Sequence, residues 1–221
     1  MLFRSGFMKS EENRRALTKA EQARKERFET VRARLEAQGY QMHDMTIGLI
    51  FANLMALVLG LPLIGLLWLG FILKNSAASA SFGLGSALFI LAVFLILIVV
   101  HELIHGATWA IFAPGRWNAV SFGFIAKYLT PYCCCNAPLK KGPYILGALM
   151  PTLLLGILPC TAAIFTGSLP LFTIGALMIL GGGGDLTIIL KLLCFRTSTQ
   201  DVLYLDHPYQ AGLAAFTRQQ G

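Results

Sequence analysis

The run Val99-Val100-His101-Glu102-Leu103-Ile104-His105-Gly106 places two histidines four residues apart, with a glutamate directly after the first. On an α-helix the two imidazoles stand one turn apart on one face, with Cβ atoms roughly 5 to 6 Å apart, which suits two ligands of one Zn²⁺. Glu102 lies three residues before His105, so its carboxylate reaches a water on that metal without taking a ligand position. Zinc lowers the pKa of its water toward about 7 and polarises a carbonyl, while the glutamate moves a proton from the water to the leaving amine. One helical turn thus offers two metal ligands, His101 and His105, and a general base, Glu102. The same short pattern arises by chance as two helix-end histidines and a solvated glutamate. That reading requires water, and here the pattern is embedded in Ile, Leu, Val and Phe.

A catalytic zinc site takes three protein ligands and leaves a fourth position open. Between Asp44 and Asp201 the acidic residues are Glu102 and Asp185 alone. A carboxylate at mid-membrane costs about 2.5 to 3.5 kcal/mol even on the lenient insertion scale, so both need a partner or a function. Asp185 is the expected third ligand. Counted from the outer ends of their spans, the two histidines lie roughly 27 to 33 Å deep and Asp185 about 23 Å, at 1.5 Å per residue. The preceding Gly181-Gly182-Gly183-Gly184 costs a plain helix about 1 kcal/mol per residue relative to Ala, which points to close helix approach or local unwinding there. The competing reading pairs Asp185 with Lys191 or with a histidine for structure alone.

The elements that must hold these residues follow from composition. The 221 residues are 56% hydrophobic and 13% charged, against about 25% charged in soluble domains, and the mean hydropathy is +0.65. A soluble enzyme, a disordered tail and a disulfide-stapled secreted domain are poor readings of such a chain, and an integral membrane protein is the good one. Thr46–Leu73 and Ser81–Val100 carry no charge for 28 and 20 residues, and Gly142–Gly184 for 43, where about 20 residues cross the hydrocarbon. The spacing predicts four transmembrane helices near 46–73, 83–112, 144–166 and 170–194, the last two divided at Thr166-Gly167-Ser168-Leu169-Pro170.

Ten of the 18 Lys and Arg, with seven acidic residues, lie in residues 1–45. From Glu11 to Glu36 both signs mix at helical spacing over a thin stripe of Ala16, Ala20, Ala23, Phe28, Val31 and Leu35, which reads as a solvated helix beside the membrane. No basic stripe with interleaved aromatics accompanies it, so nucleic acid is not an expected partner. No signal-peptide core is present in the first 30 residues. The remaining charge alternates: Lys74 in the first loop, Arg116, Lys127, Lys140 and Lys141 in the 114–143 loop, none in the third loop, Arg196 and Arg218 in the tail. The positive-inside rule then places both termini and the middle loop in the cytoplasm. On that side Cys133, Cys134 and Cys135 are reduced thiols, and as neighbours lacking paired spacing they make a poor metal site. Trp117-Asn118-Ala119-Val120-Ser121-Phe122-Gly123-Phe124 is β-prone: either an edge that holds an extended substrate or an interfacial aromatic loop.

The HELIH helix, the Tyr144–Pro151 segment, the Gly184-Asp185 pair and Gly39-Tyr40 together resemble the putative zincin peptidase family of bacterial membrane proteins, from about Gly39 to Phe216. The stretches Gln200-Asp201-Val202 to Asp206 and Gly212 to Phe216 resemble that family's cytoplasmic tail. An intramembrane HExxH with an aspartate on a later helix is more distantly similar to site-2 proteases, although GGGGD stands here where those have Asn-Pro-Asp-Gly. The resemblance implies a zinc peptidase of the bacterial inner membrane.

The expectation is an all-α membrane protein with four spans and a short β-element in the middle loop, divided into a charged helix (1–45), the spans (46–200) and a tail (201–221). His101, His105 and Asp185 would bind Zn²⁺ and Glu102 would act as base on a membrane or juxtamembrane peptide. Two other classes stand against it. A non-catalytic zinc-binding scaffold or immunity-type protein would have no need of Glu102. A transporter would show an internal repeat and more polar residues along its spans than Asn53 and the site.

Overall fold

A computed structural model describes residues 18–75, 83–125 and 130–218. Residues 11–17 of the expected amino-terminal helix, most of the first loop, and Lys127 lie outside the described residues. The helices carry most of the chain. Helix α1 (Lys19–Ala37) opens on a capping box in which Thr18 and Glu21 satisfy each other's backbone donors. Strand β1 (Tyr40–Thr46) leads into α2 (Leu49–Lys74), and α3 (Leu84–Phe112) carries the HELIH turn. A hairpin of β2 (Val120–Ile125) and β3 (Thr130–Cys135) follows, then α4 (Lys141–Pro151), a π-helical turn over Thr152–Ile157, and α5 (Leu158–Thr166). Helices α6 (Leu169–Gly181) and α7 (Gly183–Cys194) meet at a 48° bend. Strands β4 (Val202–Asp206) and β5 (Gly212–Arg218) close the described chain.

Helix α2, helix α3 and the continuous run Lys141–Thr166 are each long and apolar enough to cross a membrane, and the bent α6–α7 pair makes a fourth if it is one span. Their packing inverts the soluble pattern. On α2 the buried stripe is Ala52, Ala56 and Gly60, while Leu54, Leu61, Leu66 and Leu73 are exposed. The stripe fits the α6–α7 bend: a Cβ added at Gly183 would stand 2.0 Å from the Ala56 Cβ, and one at Gly60 would stand 3.0 Å from a Leu180 methyl. Small residues thus let the backbones approach where the glycine run begins.

The expectation of an all-α chain is corrected by two sheets. The middle loop carries the short β-element that the sequence offers, but as one strand of a hairpin, and a three-stranded antiparallel sheet of order β1-β5-β4 is added to it. Cys133 to Cys135, read as loop, are the end of β3, paired with Val120 to Phe122. The second sheet draws residues 40–46 and 202–218 together at one end of the helices, and Leu139 exchanges both backbone hydrogen bonds with Tyr204. The middle loop therefore meets them at that same end. Along the sheet, side chains alternate as the pleat requires. Tyr40, Met42, Leu203, Leu205, Ala214 and Phe216 face α1, packing with Phe28 and Leu35. Met45, Tyr204, Leu213 and Ala215 face the helical core, with Trp109, Tyr144 and Leu192.

Candidate metal centre

Residues His101, His105 and Trp109 recur at one-turn intervals along one face of α3, and all three are buried. His101 Nε2 and His105 Nε2 lie 3.0 Å apart, and Asp185 Oδ2 lies 3.2 Å from the first and 3.3 Å from the second. Asp185 arrives from α7, in its first turn, where the positive end of the helix dipole favours a carboxylate. The Gly183–Ala56 contact two residues earlier fixes where that turn starts. Lys191, the alternative partner for Asp185, donates instead to the Thr46 carbonyl at 2.9 Å.

The neighbours of His105 settle what its inward nitrogen offers. Its Nδ1 is 2.8 Å from the Gly147 carbonyl on α4, which can only accept, so Nδ1 carries the proton and Nε2 presents a lone pair. Trp109 stacks on the His105 ring at 5.1 Å and 15°, and its Nε1–H donates to the Tyr144 carbonyl at 3.2 Å. A Cβ at Gly147 would stand 2.0 Å from Trp109 Nε1, so glycine is required where α4 supplies the His105 acceptor. A carbonyl that orients a ligating histidine is the usual support of a metal site.

The three inward atoms fit a metal. Tetrahedral zinc with bonds of about 2.0 to 2.1 Å sets its ligand atoms about 3.3 Å apart, and the triangle here has edges of 3.0, 3.2 and 3.3 Å. A proton can bridge one edge of such a triangle, whereas one cation at its centre satisfies all three. Among the described residues this is the group of His, Cys and acidic side chains close enough to share a metal ion. The cysteines stand apart from it: burial pushes the thiols of Cys133, Cys134 and Cys135 up, that of Cys135 to about 12, so they are held as neutral thiols.

Glu102 leaves the triangle to the other three. It sits between the histidines in sequence, and the backbone N–H of Cys133 on β3 faces its carboxylate. The hairpin seats on α3 at Gly106, where an added Cβ would stand 2.6 Å from the Phe122 ring. Sequence reasoning brought His101, Glu102, His105 and Asp185 to one place, missed Trp109, and named Tyr144 and Gly147 only within the resembling Tyr144–Pro151 segment, with no role. Trp109 had a signal, since it continues the 101, 105 step by one more turn.

Residues 94–199 match the model of a family described as "Putative zincin peptidase". The matched stretch contains His101, Glu102, His105, Gly147 and Asp185 and stops before β4. This family is the one the sequence resembles. No curated protein and no solved structure matches the chain.

Proposed function

With residues 94–199 assigned to that family, we propose that the chain is a membrane-embedded zinc metallopeptidase that hydrolyses a membrane or juxtamembrane peptide. The observation that carries this reading is the triangle of His101 Nε2, His105 Nε2 and Asp185 Oδ2 beside a glutamate that is not part of it. His101, His105 and Asp185 would hold the zinc, with the Gly147 carbonyl fixing the His105 ring. Bound there, zinc supplies Lewis-acid polarisation of the scissile carbonyl and an acidified water. Glu102 takes the proton from the attacking water and returns it to the leaving amine, and the Cys133 N–H holds its carboxylate in place for both transfers. The large apolar side chains exposed along α2 and α3 support a bilayer as the surroundings, and the resemblance drawn from the sequence implies the bacterial inner membrane.

A peptide would reach the site in extended form. The N–H groups of Phe122 and Phe124 on β2 face away from β3, because Asn136 donates back to Ala119 and the ladder alternates from there. That outward edge suits pairing with a substrate strand.

Elemental analysis of purified protein tests the metal, with about one zinc per chain expected and none in a His101→Ala/His105→Ala double variant. Glu102→Gln, nearly isosteric, should keep the zinc and lose about 10²- to 10⁴-fold in rate on a quenched single-span peptide. Asp185→Ala should lose zinc and rate together. Wild-type rate in Glu102→Gln would return the chain to the non-catalytic scaffold reading.

A further inference from the structure

The hairpin's second edge is closed, and the way it is closed assigns a role to a residue outside the family match. Asn136 donates its N–H to Ala119, toward β2, at 2.7 Å. By the alternation of an antiparallel ladder, the N–H groups of 132, 134 and 136 face β2, and positions 131, 133 and 135 face the opposite edge. Pro131 has no N–H to offer. The other two each meet a carboxylate: the Cys133 N–H faces Glu102, and Cys135 donates to Asp206 Oδ2 at 2.7 Å.

Asp206 is the last residue of β4, and its other oxygen accepts from the hydroxyl of Tyr144 in a short hydrogen bond. Tyr144 is fully buried at the start of α4, its ring 5.5 Å from that of Trp109, the residue stacked on His105. One carboxylate therefore ties β3, α4 and the three-stranded sheet at a single point, two residues along the edge from the N–H that faces Glu102.

We propose that Asp206 is a positioning residue for Glu102: by accepting from Cys135 and Tyr144 it fixes the edge of β3, so that the Cys133 N–H stays on the Glu102 carboxylate. The role rests on Glu102 acting as the base. Asp206 touches neither the metal ligands nor the substrate, and its effect passes through the strand.

Hydrogen exchange of the zinc-loaded full chain in detergent, read on peptides covering 131–136, tests it together with hydrolysis of a quenched single-span peptide. Asp206→Ala should speed exchange at Cys133 and Cys135 about tenfold, as expected when a buried amide loses a charged acceptor. It should also lower the rate of hydrolysis at least tenfold while the zinc content stays at the wild-type value. Asp206→Asn keeps an acceptor oxygen and should restore most of both. Tyr144→Phe removes only the hydroxyl and gives a milder variant, about threefold on exchange, that decides the matter if Asp206→Ala does not fold. Wild-type exchange in Asp206→Ala, or in Tyr144→Phe where that variant stands in, overturns the proposal, as does faster exchange with an unchanged rate of hydrolysis. A wild-type chain that hydrolyses no peptide overturns the role of Glu102 instead, and the exchange rates still read whether Asp206 holds β3.

Discussion

Helix α2 buries mainly small residues, with Phe71 the large exception, and turns most of its large ones outward, whereas the layer formed by α1 and the three-stranded sheet keeps its large apolar side chains inside. Ala52, Ala56 and Gly60 are the buried residues of one face of α2, with Leu54, Leu61 and Leu66 turned outward. In the layer, Phe28, Leu35, Leu205 and Phe216 are buried, and most charges of α1 point away, Glu21 and Arg24 being the buried ones. The same chain thus contains two packing regimes suited to two solvents. Where the surroundings are hydrocarbon, burying a leucine gains little and close backbone approach becomes the source of contact. Where they are water, the aromatic and aliphatic side chains must be inside. The triangle of His101, His105 and Asp185 lies between the regimes, with its side chains on the helices and its supporting contacts reaching into the layer.

The largest effect that could break this contrast is a matched pair of truncations. Phe216→Ala in the layer should cost about 3 to 5 kcal/mol of stability, whereas Phe89→Ala on the outward face of α3 should cost little, since that ring meets no protein core. Chemical denaturation in detergent checks both, and equal losses would erase the distinction. A charge sharpens it next. Leu95→Lys, on the exposed side of α3, should disfavour membrane insertion by about 2.5 to 3.5 kcal/mol, and Ala33→Lys on the exposed side of α1 should stay within about 0.5 kcal/mol. The fraction of chain retained in the membrane after alkaline wash reads the difference.

A smaller effect tests the layer from inside. Burial pushes the Asp206 carboxyl up to about 6, against the opposing pull of the Tyr144 and Cys135 hydrogen bonds. An unfolded aspartate releases its proton near 3.9, so between those values the folded chain binds more protons. Stability should therefore fall, by of order 2 kcal/mol, as pH rises from about 4 to about 6, and Asp206→Asn should flatten that slope in thermal melts. The last test is one of sidedness. An impermeant maleimide applied to whole cells should reach a cysteine placed at Lys74 and miss one at Lys140; the opposite pattern would invert the orientation drawn from the Lys and Arg counts.

The metal triangle was legible because its signals are local and costly. Two histidines four apart announce a helical face, and Asp185 is the first charge after the 43 uncharged residues from Gly142 to Gly184. The hairpin was half legible, through the β-prone run around Val120 to Phe124. The three-stranded sheet was not, since β1 and β5 pair across a separation such as Tyr40 with Arg218 and no periodicity within seven residues announces so distant a partner. Asp206 was hidden for the same reason: its two donors, Tyr144 and Cys135, are fixed only once β4 is docked.

Strand β5 is the middle strand of its sheet and the last element of the described chain, and β1 and β4 each pair with it. In order of synthesis, β1 emerges before any apolar helix and β5 after all of them. Until residues 212–218 leave the ribosome, β1 has no neighbour to pair with, and the helices are already made. The sheet is thus completed only after His101, His105 and Asp185 have all been synthesised, and the contacts it makes with α4 and β3 follow them. A chain stalled in translation before Gly212 would carry His101, His105 and Asp185 and lack the strand that joins β1 to β4.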